Sequence, residues 1–164
     1  IFASNGILFN HESPVRGETF VTKKIISGLC KIKKNKIKTL YLGNLYAKRD
    51  WGHAKDYVEA MWKILQYKKP DDFVIATGKQ YTVKEFVNLA CKELAIKISW
   101  RGKGLNEVAL DESGRKIIKI DKKYFRPTEV DSLRGDSTKA KKILNWTPKT
   151  TIKELIIDMI SNEI

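Results

Sequence analysis

The sequence predicts an α/β fold, because short apolar runs typical of β-strands alternate with longer segments that have helical periodicity. Two capping boxes, Thr82-Val83-Lys84-Glu85 and Thr151-Ile152-Lys153-Glu154, mark the starts of two helices. No internal repeat, low-complexity segment or flexible linker divides the chain. We therefore expect the 164 residues to form one compact but incomplete unit.

The first half of the chain contains three predicted strands and two predicted helices. The strands are apolar runs bounded by polar or turn-forming residues, at 1–9, 39–42 and 73–76. Polar residues 10–13 and Pro14 end the first strand, which we expect to be buried between sheet neighbours. The helices are the segments 19–31 and 54–67. The second helix follows a tract from Arg49 to His53, and its expected buried face consists of Tyr57, Val58, Met61, Trp62 and Leu65.

The second half continues the alternation. The first capping box opens a helix that ends near Ala95. Two strands are predicted at 97–100 and 116–120, and the glycine-containing stretch 101–114 between them is a loop or a hairpin. Asp136 and Ser137 can cap a short helix to Leu144, and the second capping box opens the last helix.

Charge and composition limit the function classes. Six arginines and 26 lysines face 19 acidic residues, which gives a net charge of +13. Only Lys31 to Lys38 forms a cluster, whereas the other lysines recur singly on predicted helix faces. Nucleic-acid binding would require cations on one face with aromatic residues between them. We therefore expect mostly solvated lysines and no nucleic-acid partner.

Several other classes are unsupported by the sequence. No apolar run approaches about 18 residues, and the first residues lack the pattern of a signal peptide. Cys30 and Cys91 lie far apart in apolar helical patterns, which predicts buried thiols and a cytoplasmic protein. Two histidines with scattered carboxylates provide no metal-ligand set. Phosphate-loop, zinc-protease and nucleophile-elbow motifs do not occur.

Anion binding fits the distribution of polar residues better. Asn10, Arg16, Lys24, Arg49 and Arg126 lie near predicted strand ends, loops or helix starts, where ligands bind in open α/β sheets. Arginine is informative because its planar group matches a diphosphate. An alternative stays open, in which Arg49 and Arg126 pair with Asp50, Glu129 or Asp131. His11 and His53 are equally consistent with a structural role.

Four segments carry a resemblance to a known family. They are GILFNHESPVRGETFVTKKI at 6–25, LYLGNLYAKRDWGHAKDYVEAMW at 40–62, DFVIATG at 72–78 and YFRPTEVDSLRGDSTKAKKILNWTP at 124–148. In this order they resemble the C-terminal half of the GDP-mannose 4,6-dehydratase family, within the extended short-chain dehydrogenase/reductases. The resemblance covers nearly the whole chain.

The resemblance implies the C-terminal part of an NAD(P)-binding Rossmann-like fold with its substrate-binding subdomain. In that family an N-terminal half binds NADP and carries a catalytic Tyr-x-x-x-Lys pair, a hydroxyl residue and a glutamate. None of these groups matches a position here, so we expect no catalytic residue in this chain and a cofactor-binding half outside it. The apolar start at Ile1 agrees with a chain that continues upstream.

The resemblance also implies specific site residues. The positions that match GDP-mannose contacts are Asn10, Lys24, Arg49, Arg126 and Glu129. His11 and Arg16 match NADP contacts. Trp51 and Trp62 are expected to pack in the fold rather than stack on guanine.

The implied reaction converts GDP-mannose to GDP-4-keto-6-deoxymannose by NADP-dependent internal hydride transfer and loss of water. The resemblance also implies a homo-oligomer, a dimer or a tetramer. Two alternatives are another GDP-sugar epimerase or reductase of the same fold, and a non-catalytic module that binds a nucleotide sugar.

Overall fold

A computed structural model describes residues 1–125 and 128–163, and it confirms the α/β prediction. The helices are α1 (Val21–Lys33), α2 (Ala54–Leu65), α3 (Val83–Glu93), α4 (Thr138–Leu144) and α5 (Ile152–Ser161). The strands are β1 (Gly6–Leu8), β2 (Asn10–Glu12), β3 (Leu40–Leu42), β4 (Lys48–Arg49), β5 (Trp51–His53), β6 (Phe73–Ile75), β7 (Tyr81–Thr82), β8 (Ser99–Arg101), β9 (Val108–Leu110) and β10 (Lys116–Ile120). Single 3₁₀ turns occur at Gly104–Asn106 and Lys122–Tyr124.

The strands pair into four small sheets. In the largest, with the order β3-β10-β9-β8, β3 is parallel to β10 and the other pairs are antiparallel. The pairs β1–β6 and β2–β5 are parallel, and β4–β7 is antiparallel. The stretch 101–114, predicted as a loop or a hairpin, contains the turn between β8 and β9, β9 itself and the turn that leads into β10.

Both capping boxes are confirmed. Thr82 accepts a hydrogen bond from the N–H of Glu85, whose carboxylate accepts from the N–H of Thr82. Thr151 and Glu154 make the same reciprocal pair at the start of α5. These two helices begin where the sequence predicts because the signal lies entirely within four consecutive residues.

The predicted first strand is wrong at both ends. Residues 1–5 are not in a strand, and Ile1 and Phe2 are exposed. The polar residues expected to end the strand instead form β2, which pairs in register with β5 from Asn10 opposite Trp51 to Glu12 opposite His53. Backbone hydrogen bonds hold this pair, and the apolar pattern of a sequence does not report them.

The predicted buried face of α2 is confirmed for Tyr57 and wrong for its other four residues. Val58, Met61, Trp62 and Leu65 are exposed, with 61% of Trp62 and 66% of Leu65 accessible to solvent. The face that packs against the sheet consists of Tyr57, Ala60 and Ile64. Because α2 has apolar residues on two sides, its periodicity does not tell which side meets the core.

The main core lies between the four-stranded sheet and helices α1, α3 and α5, which pack against one another. Trp51 is 2% exposed and stacks at a tilt on Phe86, so its predicted packing role is confirmed, whereas that of Trp62 is wrong. Cys30 and Cys91 are free and buried as predicted. Burial raises the pKa of the Cys91 thiol to about 12.

The carboxylate of Asp50 connects its own segment, between β4 and β5, with the residues after β6 and with Gly135. Its Oδ1 accepts hydrogen bonds from the N–H and the hydroxyl of Thr77, at 2.9 and 2.6 Å. Its Oδ2 accepts from the N–H of Gly78 at 2.8 Å and the N–H of Gly135 at 3.3 Å. Asp50 therefore does not pair with Arg49, and it fixes the backbone directly after β4, the strand that ends at Arg49.

His53 has a structural role. Its Nδ1 accepts from the N–H of Lys55 at 3.1 Å, which caps α2. Its Nε2 therefore carries the proton, and it donates to Asp158 of α5 at 2.9 Å. The residue ties the start of α2 to the last helix.

Candidate functional site

A cavity of about 380 Å³ opens where β2, the N-terminus of α1 and the carboxyl end of β3 meet. Segments near β4 and the 3₁₀ turn at Lys122–Tyr124 complete its walls. Ligands of open α/β sheets bind at the carboxyl ends of parallel strands, and β3 is parallel to β10 here. The cavity therefore lies where this architecture places binding sites.

Strand alternation on β2 decides which polar residues face the cavity. Asn10 and Glu12 line it, whereas His11 lies between them in the sequence and packs against Tyr57 of α2, with 5.1 Å between ring centroids. The Nδ1 atom of His11 lies 2.9 Å from the carbonyl oxygen of Phe9. Because a carbonyl only accepts, Nδ1 donates, and the Nε2 atom of the neutral ring is an acceptor.

Glu12 is a buried carboxylate that sequence reasoning did not select as a site residue. It accepts a 2.6 Å hydrogen bond from the hydroxyl of Thr22, and its Oε2 lies 3.1 Å from Nε of Arg16. The Arg16 guanidinium carbon lies 3.5 Å from the centroid of the Phe20 ring. Burial raises the pKa of Glu12, while Thr22 and Arg16 oppose that shift by stabilising its charge. Glu12 and Phe20 thus hold Arg16 beside the cavity.

The N-terminus of α1 makes the cavity favourable for anions. Its first turn contains no acidic residue, and the N-cap residue Phe20 supplies no side-chain hydrogen bond. The exposed peptide N–H groups of a helix start carry partial positive charge. Lys24, in the next turn, also lines the cavity, and burial lowers the pKa of its ammonium.

Arg49 and Glu129 form an ion pair on another wall of the cavity. Nη2 of Arg49 donates to Oε1 of Glu129 at 2.5 Å, and Nη1 donates to the carbonyl oxygens of Val130 at 2.6 Å and Lys48 at 2.8 Å. Of the pairings that the sequence left open for Arg49, the structure shows the one with Glu129. Both side chains line the cavity, so the pair also belongs to the candidate site.

Four of the five predicted substrate contacts come together in one cavity, namely Asn10, Lys24, Arg49 and Glu129. Arg126, the fifth, lies outside the described residues. The lining that the structure describes does not include the predicted cofactor contacts His11 and Arg16, which lie next to it.

Sequence reasoning missed further lining residues, including Glu12, Trp51, Lys123 and Tyr124. The alternation of β2 is the signal that could have found Glu12. The indole Nε1 of Trp51 is buried without a hydrogen-bond partner among the described residues.

Within residues 1–125 and 128–163, no group of three or more histidine, cysteine, aspartate or glutamate side chains is arranged to hold a metal ion. None of the helices described there is long and apolar enough to cross a membrane.

Solved structures share this fold over nearly the entire chain. RMD from Pseudomonas aeruginosa complexed with NADPH superposes with a TM-score of 0.76 at 17% identity, over 96% of this chain and 46% of that one. dTDP-glucose 4,6-dehydratase from Bacillus anthracis in complex with NAD gives a TM-score of 0.73 at 16% identity, over 96% of this chain and 43% of that one. Both proteins are similar to this chain in fold, and both are about twice as long as this chain.

Sequence comparisons are more specific. GDP-mannose 4,6 dehydratase 2 of Caenorhabditis elegans is 55% identical over 164 residues, which cover 100% of this chain and 43% of that protein. The human GDP-mannose 4,6 dehydratase is 53% identical over 100% of this chain and 44% of its own length. The chain thus spans less than half the length of these curated relatives. The family model described as GDP-mannose 4,6 dehydratase matches residues 1–159. On this match the chain belongs to the GDP-mannose 4,6 dehydratase family.

Proposed function

We propose that the chain is the nucleotide-sugar-binding portion of an NADP-dependent GDP-mannose 4,6-dehydratase, a lyase that forms GDP-4-keto-6-deoxymannose with loss of water. The observation that carries this proposal is the convergence of Lys24, Arg49, Glu129 and Asn10 on one cavity at the start of α1. Family membership supports the reaction. The cavity supports the part of it that this chain performs, which is substrate binding and orientation.

Each of these residues has a chemical task toward GDP-mannose. Lys24 and Arg49 would neutralise the diphosphate, and the N-terminus of α1 adds a favourable field. Glu129 is the acceptor that ribose hydroxyls require, and its pairing with Arg49 orients it. Asn10 offers both a donor and an acceptor to the sugar or the phosphate. We also propose Arg126 as a substrate contact, on the resemblance alone.

The residues beside the cavity fit a nicotinamide dinucleotide. Arg16 is held by Glu12 and Phe20, and within the described ranges no residue accepts a hydrogen bond from its two terminal nitrogens, which suit a phosphate. His11 presents Nε2 as an acceptor for a hydroxyl or a carboxamide. NADP supplies the hydride acceptor and donor of the reaction when bound. We propose His11 and Arg16 as the contribution of this chain to that site, and the groups that transfer protons as belonging to the other portion of the enzyme.

The exposed side of α2 is the surface on which we propose that this other portion packs. Parallel strands are normally buried on both faces, yet β1 pairs with β6 alone and Ile7 is 52% exposed. The exposed residues of α2 lie at helical spacing and include Trp62 and Leu65. Exposed apolar area of this kind marks an interface. On the resemblance, we also propose that the complete enzyme is cytoplasmic and a dimer or a tetramer.

In the 164-residue chain this side of α2 is uncovered, so we expect it to cause self-association. The double variant Trp62→Glu/Leu65→Lys should lower that self-association at least tenfold. Burial of each of these side chains contributes about 1.5–3 kcal/mol, and a buried charge removes that contribution. Light scattering over a concentration series measures the change. Ile157→Lys on α5, where Ile157 is 41% exposed, is the matched control. Equal association of both variants would contradict the assignment of this surface.

The proposed activity is tested by supplying the remaining portion from the C. elegans relative, so that the 164 residues replace their counterparts there. With GDP-mannose and NADP, we expect a product lighter than the substrate by one water in mass spectrometry. An epimerase would leave the mass unchanged, and a reductase would add two hydrogens. Titration of the chain alone with GDP-mannose then separates a binding function from catalysis, since binding without any product in the chimaera would identify a binding module.

A further inference from the structure

Two lysine side chains approach one aromatic ring on the wall of the cavity. Nζ of Lys24 lies 3.1 Å from the centroid of the Tyr124 ring, and Nζ of Lys123 lies 4.9 Å from it. All three side chains line the cavity. Lys24 comes from α1, whereas Lys123 and Tyr124 come from the 3₁₀ turn at Lys122–Tyr124. The ring is therefore the point at which two separate segments bring their cations together.

The position of this turn is fixed by its contacts with β3. The N–H of Asp121 donates to the carbonyl oxygen of Leu42 at 2.9 Å, and Oδ1 of Asp121 accepts from the N–H of Lys123 at 3.0 Å. Gly43 follows directly, and a Cβ atom there would collide with the carbonyl oxygen of Tyr124. The turn thus packs against the end of the strand so closely that only glycine fits, which fixes the backbone of Tyr124.

The electrostatics of this group suit a ligand with several negative charges. Burial lowers the pKa of Lys24, the charge of Lys123 lowers it further, and Tyr124 and Asp121 oppose these effects. The negative face of an aromatic ring attracts an ammonium group and partly offsets the repulsion between two of them. A diphosphate would remove the rest of that repulsion, since each ammonium could pair with its own phosphate oxygen.

We propose that Tyr124 is a positioning residue for diphosphate binding, because its ring holds the ammonium groups of Lys24 and Lys123 on one wall of the cavity within reach of the same diphosphate. Lys123 is then a further binding residue. The inference rests on the proposed function, and it assigns to Tyr124 an effect that acts through Lys24.

A double-mutant cycle on the full chain tests this inference with two probes, GDP and inorganic pyrophosphate, titrated by calorimetry. We expect Tyr124→Leu to weaken the binding of both probes by the same factor, about fivefold. Tyr124→Phe keeps the ring and should retain affinity within about twofold. In a Lys24→Met background, Tyr124→Leu should have almost no further effect, because the ammonium that the ring positions is gone.

Tyr41→Leu is the matched control, since Tyr41 and Tyr124 are both 41% exposed and Tyr41 is not among the described residues that line the cavity. A loss of GDP affinity with unchanged pyrophosphate affinity would overturn the inference and would place Tyr124 against the base. An equal loss of affinity from Tyr124→Leu in the wild-type chain and in the Lys24→Met background would overturn it as well. If the unsubstituted chain binds neither probe, the proposed binding site itself fails, whereas GDP binding that is indifferent to Tyr124→Leu removes only the role of Tyr124.

Discussion

Replacement of Asp50 by alanine is expected to lower the free energy of unfolding by about 3 kcal/mol or more, since it removes a fully buried carboxylate that accepts four hydrogen bonds. Asp50 is fully buried, and its two oxygens accept from Thr77, Gly78 and Gly135. These donors lie on two segments distant in sequence from Asp50, so no local rearrangement can satisfy them all. Urea denaturation followed by tryptophan fluorescence measures the change.

Asp50→Asn keeps the shape of the side chain but replaces one of its two acceptor oxygens by a donor group. The amide keeps one oxygen for Thr77 but turns an N–H₂ group toward the N–H of Gly78, so we expect a smaller but measurable loss. Glu18→Ala is the control, because Glu18 is exposed and should change stability by less than about 0.5 kcal/mol. A similarly small change for Asp50→Ala would show that the three segments are held by other contacts.

Arg49→Ala is expected to weaken the binding of GDP by about 30-fold or more, which corresponds to about 2 kcal/mol. The substitution removes the Arg49 charge and the N–H groups of Nε and Nη2 that remain for a phosphate oxygen, and it leaves the carboxylate of Glu129 unpaired on the wall of the proposed anion site. Because Nη1 of Arg49 also holds the carbonyl of Val130, some stability is lost as well. Calorimetric titration with GDP and a parallel denaturation curve distinguish the two effects.

The double variant Arg49→Ala/Glu129→Gln tests the electrostatic part of this reasoning. It removes the unpaired charge, so we expect GDP affinity to recover partly relative to Arg49→Ala. Arg49→Lys should lie between the wild type and Arg49→Ala, since lysine keeps the charge but not the planar pair of donors. Unchanged GDP affinity in Arg49→Ala would remove Arg49 from the site.

The motifs that carry the family resemblance also located most of the candidate site. Asn10, Lys24, Arg49 and Glu129 come from four separate parts of the chain, yet all line one cavity. Composition and periodicity alone had placed only some of them near loops and strand ends. The geometry adds the pairing of Arg49 with Glu129 and the buried Glu12, which depends on the alternation of a strand that the apolar pattern did not show.

The order of the helices, the two capped helix starts and the burial of both cysteines were determined by the sequence itself, because capping and amphipathic spacing act between residues a few positions apart. The tertiary structure alone decided which side of α2 faces the core, that β2 is a strand, and that Tyr124 meets Lys24. These features depend on contacts between residues far apart in the chain. Their energies arise only when the backbone brings the partners together, and no local pattern encodes them.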